Sequence, residues 1–313
     1  MALAVGVAAV SVPFALSDYQ LQIAVMAGIF ALLTLSLNLL SGYGGMISLG
    51  HAGFFLIGAY TSAIFATRFG APFPLALLAA VLLTAASGLL LAIPALRLSG
   101  HFLAVITIAF GLILHLLSIN LEGITNGISG ISRIPRPAIG SWRLGSDLSY
   151  YFLVLGVLAL IVLLTRAYVR SGYGRALRAL RDDEIAASCM GVNITVAKIH
   201  AFIISAAIAG VAGSLYAHYV RYINPDSFTI DISIRALIMM VVGGVGSIAG
   251  SVLGAIVVYV LPEALRFLNE YYYLVFGGVI IALMLFLPGG LISLVPGLRT
   301  TAAGAGAKAG NPP

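Results

Sequence analysis

The residues best suited to chemistry are gathered in one passage, GRALRALRDDEIAASCMGVN, from Gly174 to Asn193. Of the 26 Asp, Glu, Lys and Arg residues, eight lie between Arg166 and Glu184, so the remaining chain is almost uncharged. Arg175, Arg178 and Arg181 recur at helical spacing and are followed by Asp182, Asp183 and Glu184. Arg178 with Asp182, or Arg181 with Glu184, can pair at i,i+4 and i,i+3. Leu177, Leu180 and Ile185 form an apolar stripe at the same period. Gly174 precedes the segment, Gly191 is a helix stop, and Asn193 caps the next helix. This is the chemistry of docking, not of bond breaking. A surface helix and a solvated loop whose charges fix topology both satisfy the pattern.

Two glycine clusters are the other candidates. SGYGGMISLGHAGFFLIGAYT, from Ser41 to Thr61, brings Gly42, Gly44 and Gly45 together around Tyr43. Each glycine costs a helix about 1 kcal/mol relative to alanine, so the trio predicts a helix break. Gly50, Gly53 and Gly58 read as close helix packing. Ser48 and His51 follow the break. An intramembrane histidine is a proton relay, a substrate contact or a hydrogen bond across helices. The second cluster is GGVGS, with Gly243, Gly244, Gly246 and Ser247. Cys189 is the single cysteine, and His101, His115, His200 and His218 are scattered without metal-ligand spacing, so no metal site is expected.

Absences narrow the reading further. A P-loop requires G-x-x-x-x-G-K-[ST]. The two lysines, Lys198 and Lys308, each follow an alanine, so this chain has no P-loop and is not read as an enzyme. The ten acidic residues fall in loops or at the ends of the apolar runs, with none forming an intramembrane ladder for cation coupling. Energy, where used, is expected from a partner.

The elements that must position these residues are membrane helices. The chain is 61% hydrophobic and 8% charged, against roughly 25% charged in soluble domains. A mean hydropathy of +1.11 and runs approaching the roughly 20 residues needed to cross a bilayer exclude a soluble fold. The runs are too long and non-alternating for barrel strands. The expected fold is therefore an all-α polytopic bundle of about eight spans: 2–16, 21–40, 46–66, 73–96, 101–119, 150–168, 199–219 and 271–287. A re-entrant or broken pair, 232–242 and 248–261, flanks the GGVGS turn, because non-helical backbone at membrane depth needs protein or a cavity around it. The net charge of +6 is assigned to orientation and anionic headgroups, not nucleic acid. The first run lacks a basic leader and reads as a tilted first helix, not a signal peptide. Arg166 to Lys198 mark one cytoplasmic loop, which places both termini inside and 120–149 outside, although Arg133, Arg136 and Arg143 then fall outside. The outer loop reads as irregular structure. Residues 1–299 form one transmembrane domain, with 174–191 a cytoplasmic helix inside it, and 300–313 a flexible tail.

SGYGGMISLGHAGFFLIGAYT, the charged passage extended through NITVAKIHAFIISAAIAGVAGSLYA, the Pro225 to Phe228 turn and IRALIMMVVGGVGSIAGSVLGA occur in an order and spacing that resemble one family. They are similar to the LivM-type permease subunits of branched-chain amino acid ABC importers, over about residues 21–290. The resemblance implies a bacterial inner-membrane subunit with a second related permease, two cytoplasmic ATPases and a periplasmic or extracellular binding protein. It implies ATP and magnesium on the ATPases, no cofactor in this chain, and a small amino-acid substrate. It makes 174–191 the coupling helix, with Arg175, Arg178, Arg181, Asp182, Asp183 and Glu184 as its polar contacts. Leu177, Leu180 and Ile185 anchor it. Ala186, Ala187 and Gly191 match the A-A-x-x-x-G core, but Ile185 displaces the expected glutamate to Glu184. Met46 stands where a glutamine is expected. The path would be lined by Gly42, Tyr43, Gly44, Gly45, Ser48, His51, Gly243, Gly244, Gly246 and Ser247. A self-contained channel for urea or an amide is the alternative.

Overall fold

Ser17 opens the first described helix with a reciprocal cap: its hydroxyl accepts from the Gln20 amide, and the Gln20 side chain accepts from the Ser17 amide. The computed structural model describes residue 13 and residues 17–98, 100–139, 142–143, 145–265, 271–287 and 289–294. The expected first span at 2–16, Pro13 apart, and the tail with Arg299 and Lys308 lie outside them.

Helix α1 (Asp18–Leu37) has apolar residues around its whole circumference and is the bundle's buried centre. It widens into a π turn over Asn38–Tyr43 and then ends, the break expected from the glycine trio. Gly45, at φ +68°, turns the chain where a side chain would also strike Arg181. The following helix starts at His51 because 44–50 is not helical, later than the expected 46. Helices α2 (His51–Arg68), α3 (Phe73–Ala95), α4 (His101–Asn120) and α5 (Asp147–Arg170) follow. Farther along, α8 (Ile194–Val220) packs against α1, α2 and α3. A β-carbon on Gly58 would stand 2.5 Å from Gly210, and one on Gly210 would stand 2.6 Å from the Thr84 hydroxyl. Small residues thus bring three helices into backbone contact, as packing in a bilayer favours.

The charged passage folds as two helices. Ser171 caps α6 (Gly172–Asp182), which starts before Gly174 because the Gly174 backbone packs onto the end of α5. Asp183 then adopts an extended conformation, and its carboxylate accepts from the amides of Ile185 and Ala186, each at 2.9 Å. That cap starts α7 (Glu184–Cys189) in a new direction. Gly191, at φ +81°, terminates the passage, and Asn193 caps α8 through the Val196 amide.

Helices α9 (Ile230–Gly243) and α10 (Ile248–Ala264) form a bent pair, turning through 118° at 244–247. Gly243 lies against Gly250 and Gly254, so the arms meet backbone to backbone near the turn. Arg235 near the start of α9 and Glu263 near the end of α10 line one cavity, so the chain returns to the face it left. Helix α11 (Tyr272–Phe286) follows. Among the described residues five helices are long and apolar enough to cross a membrane, and the bent pair makes a sixth candidate. The described total therefore stands below eight: α2, ending in Arg68, is not among the five, and α11 is short.

The 121–146 loop is irregular, as expected, with a two-residue ribbon, β1 (Ala138–Ile139) and β2 (Trp142–Arg143). It is also pinned. Ile131 exchanges two backbone hydrogen bonds with Ile223, and the His218 ring donates to the Pro135 carbonyl at 2.7 Å.

Candidate functional site

The two glycine clusters meet at Asn38. Its amide nitrogen donates to the Ser247 carbonyl at 2.9 Å and the Ser251 hydroxyl at 2.6 Å, while its oxygen accepts from the Gly246 amide at 2.8 Å. Asn38 is fully buried, and these bonds use both donors and the acceptor that an apolar core would otherwise leave unpaired. The π turn places Gly42 beside that amide, where any β-carbon would overlap the Asn38 oxygen and stand 2.6 Å from the Gly246 nitrogen. The tip of the α9–α10 pair is thereby seated on the end of α1.

The charged passage reaches the same point from the opposite side. Arg181 donates through Nη1 to the Gly42 carbonyl at 3.2 Å and through Nη2 to Asp182 at 3.0 Å. Leu177 and Leu180 are buried, and Leu177 lies over Gly44. Arg178 donates to the Gly174 carbonyl and to the Val169 carbonyl at the end of α5, where helix carbonyls lack amide partners. Glu184 bonds Lys198 at 2.7 Å, tying α7 to α8. Neither expected pair, Arg178 with Asp182 or Arg181 with Glu184, forms: Arg178 is taken up by backbone carbonyls, Asp182 pairs with its neighbour Arg181, and Glu184, beyond the break at Asp183, pairs with Lys198. Ile185 is 78% exposed and anchors nothing; Ala187 is the buried residue of α7.

Tyr43, Gly246 and Ser247 line a cavity of about 410 Å³ together with Arg166, Arg170, Arg178 and Arg181. The candidate path residues therefore divide. Gly42, Tyr43, Gly44, Gly45, Gly243, Gly244, Gly246 and Ser247 gather at this junction, whereas Ser48 and His51 do not. His51 is fully buried between α2 and α8. Ser205 spends its one hydroxyl proton on the Ser36 carbonyl at 2.8 Å, so at 2.9 Å it accepts from His51 Nε2, while His51 Nδ1 shares a hydrogen bond with the Ser48 hydroxyl at 3.0 Å. The ring is engaged at both nitrogens, and its bond to Ser205 crosses between helices.

The family described as branched-chain amino acid transport system, permease component, matches residues 19–284. The chain belongs to that family. The permease is 39% identical to the high-affinity branched-chain amino acid transport system permease protein LivM of Salmonella typhimurium, over 92% of this chain and 73% of that one. Its similarity to LivM of Escherichia coli is the same in identity and coverage. It is 28% identical to LivH of Salmonella typhimurium over 84% of this chain and 91% of that protein. No solved structure matches the permease.

Sequence reasoning passed over Asn38 and the Ser–His chains. Asn38 is a lone amide within LLTLSLNLLSG, four residues before Gly42, and a polar group at that depth needs partners. His218, given no role, heads a second chain: Ser214 donates to Ser62 at 2.7 Å, and Ser62 donates to His218, which holds the 121–146 loop at Pro135. What could not be read was the contact order that brings positions 38, 181 and 246 together.

Proposed function

We propose that this chain is the membrane-spanning permease subunit of an ATP-binding cassette importer for branched-chain amino acids. It works in a bacterial inner membrane beside a second permease, two ATPases and an external binding protein, and the ATPases hold the ATP and magnesium. Family membership supports the class of machine. The observation that carries the mechanism is the Arg181 bond to the Gly42 carbonyl, which joins the charged helices to the glycine junction.

ATPase closure moves α6 and α7 as a unit. Arg181 and Leu177 pass that displacement to residues 42–45, and Asn38 passes it to the tip at 243–247. The re-entrant pair then rocks against α1, switching access from the outer face to the inner. The coupling surface comprises Arg175, Asp182, Asp183, Ile185 and Ala186, all exposed, with Gly191 ending it. The arginine-rich end faces the cytoplasm, as the positive-inside rule places it.

The test is leucine uptake and ATP hydrolysis by the reconstituted assembly. Arg181→Gln is expected to lower uptake on the order of tenfold while hydrolysis continues, since losing a charge-assisted bond removes about 1.5–3 kcal/mol. Wild-type rates of both would overturn the coupling role. ATP-independent flux through this chain alone in liposomes would instead establish a channel.

A further inference from the structure

The cavity beside the glycine junction carries a positive charge that the described residues leave unbalanced. Arg166 and Arg170 of α5 line it with Arg178 and Arg181 of α6, and no Asp or Glu is among its lining residues. Arg181 has a carboxylate partner in Asp182, whereas Arg178 is bonded to backbone carbonyls, which leave its charge in place. Arg166 and Arg170 make no side-chain hydrogen bond or ion pair among the described residues. They stand at i,i+4 on α5, where like charges oppose each other. Setting topology requires only that basic residues lie at this end of the helix, in any direction. Four guanidinium groups converging from two helices are instead the arrangement that receives an anion. Helix α5 runs for 24 residues, about 36 Å against roughly 30 Å of hydrocarbon core, so Arg166 and Arg170 in its last turns lie at headgroup level. Much of the remaining lining is apolar, with Val162 one turn deeper than Arg166. Leu163, on the face of α5 adjoining Arg166 and Arg170, is 64% exposed, so the edge of the cavity continues onto the apolar outside of the bundle.

We propose that this cavity binds the phosphodiester headgroup of an anionic phospholipid from the leaflet on the arginine side. The phosphate oxygens lie between Arg166 and Arg170, whose guanidinium forks match them in pairs. Arg178 and Arg181 add charge while keeping their carbonyl bonds, and an acyl chain runs along Val162 and Leu163. Basic pockets between membrane helices hold lipid headgroups in this way. A zwitterionic lipid would bring a further cation among four, and a free anion would leave the apolar wall unused. The charge of the cavity carries the binding; its consequence rests on the importer reading. The lipid joins α5 to α6 beside Arg181 and reaches the tip at Gly246 and Ser247, so it braces the junction that passes on the ATPase displacement. Anionic lipid thereby raises the uptake obtained per ATP hydrolysed.

The experiment follows the thermal midpoint of the full permease, purified with its partner subunits in detergent, as phosphatidylglycerol, phosphatidylcholine or inorganic phosphate is added. A ligand that binds only the folded state raises the midpoint. Phosphatidylglycerol is expected to raise it by several degrees, and the other two are expected not to. Arg166→Gln with Arg170→Gln is expected to start from the wild-type midpoint, since both side chains are exposed and unbonded, and to lose most of the rise. Arg170→Gln alone, at the last residue of α5, is expected to lose part of it and serves where the pair fails to fold. An equal rise with phosphatidylcholine overturns the site, because the arginines then select nothing. An equal rise with inorganic phosphate assigns them to a soluble anion and overturns it too, as does an undiminished rise in the variants. Loss of copurifying ATPase subunits from the double variant, with its lipid response intact, gives the arginines to a protein partner instead. In vesicles containing phosphatidylglycerol, the wild type is expected to take up several-fold more leucine per ATP than in phosphatidylcholine alone; equal ratios would overturn the bracing role. Failure of the importer reading is distinguishable: ATP-driven uptake would then be absent in every lipid, while the midpoint rise and its loss in the variants would stand.

Discussion

A single amide joins the π turn at the end of α1 to the tip of the α9–α10 pair. Asn38 Nδ2 and Oδ1 make bonds of 2.6, 2.9 and 2.8 Å to the tip of the bent pair, and replacing them leaves the Gly246 amide and Ser247 carbonyl without those partners. Leaving one buried polar group unpaired costs about 1–3 kcal/mol. Asn38→Ala is therefore expected to destabilise the solubilised permease by roughly 2–4 kcal/mol, read as a lower thermal midpoint. An unchanged midpoint would mean that the tip is not held there. Gly42 belongs to the same contact, since its missing β-carbon is what lets the amide approach the Gly246 backbone. At this scale the sequence is legible where chemistry is intrinsic to a residue type: the glycine trio announced a break, and the break is there. It is illegible where meaning lies in a partner more than 200 positions away, as for Asn38 and Gly246.

The charged passage works as an element because it is divided. Asp183 caps α7 and ends α6, so the two helices present different faces: α6 buries Leu177 and Leu180, whereas α7 turns Ile185 outward. Period alone put all three on one stripe, since a helical spacing carries no mark of a one-residue extended break unless the Asp is read as a cap. Ile185 at 78% exposure and Met190 at 84% are large apolar side chains at the charged surface, which a partner's groove would cover. Ile185→Asp is accordingly expected to weaken association with the ATPase subunits on the order of tenfold, about 1.4 kcal/mol, with the permease's own thermal midpoint unchanged. Copurification and midpoint together check this. A lower midpoint with normal association would mean that Ile185 packs within the permease. The transmembrane helices were the most legible elements because apolar length alone specifies them, and α2 was less so because His51 and Arg68 bound its apolar stretch.

At the scale of the whole molecule, the two cavities lie at opposite ends of the α9–α10 pair, and α5 separates the loop side from the charged side. Its 24 residues span about 36 Å at 1.5 Å each, enough to cross the hydrocarbon core. Glu122 in the loop and Cys189 in α7 are both exposed, so they must emerge on opposite faces of the bilayer. With the arginine-rich face cytoplasmic, a membrane-impermeant maleimide is expected to label Cys189, the single cysteine of this chain, in inside-out vesicles and not in right-side-out ones. A Cys189→Ser, Glu122→Cys variant should reverse the pattern, and labelling from the opposite sides would invert the orientation and move the Arg235 cavity to the cytoplasm. The same label tests docking independently of transport. Because Cys189 closes the helix that presents Ile185, bound ATPase subunits should slow its modification several-fold, while an equal rate in the free and assembled permease would place the ATPases elsewhere.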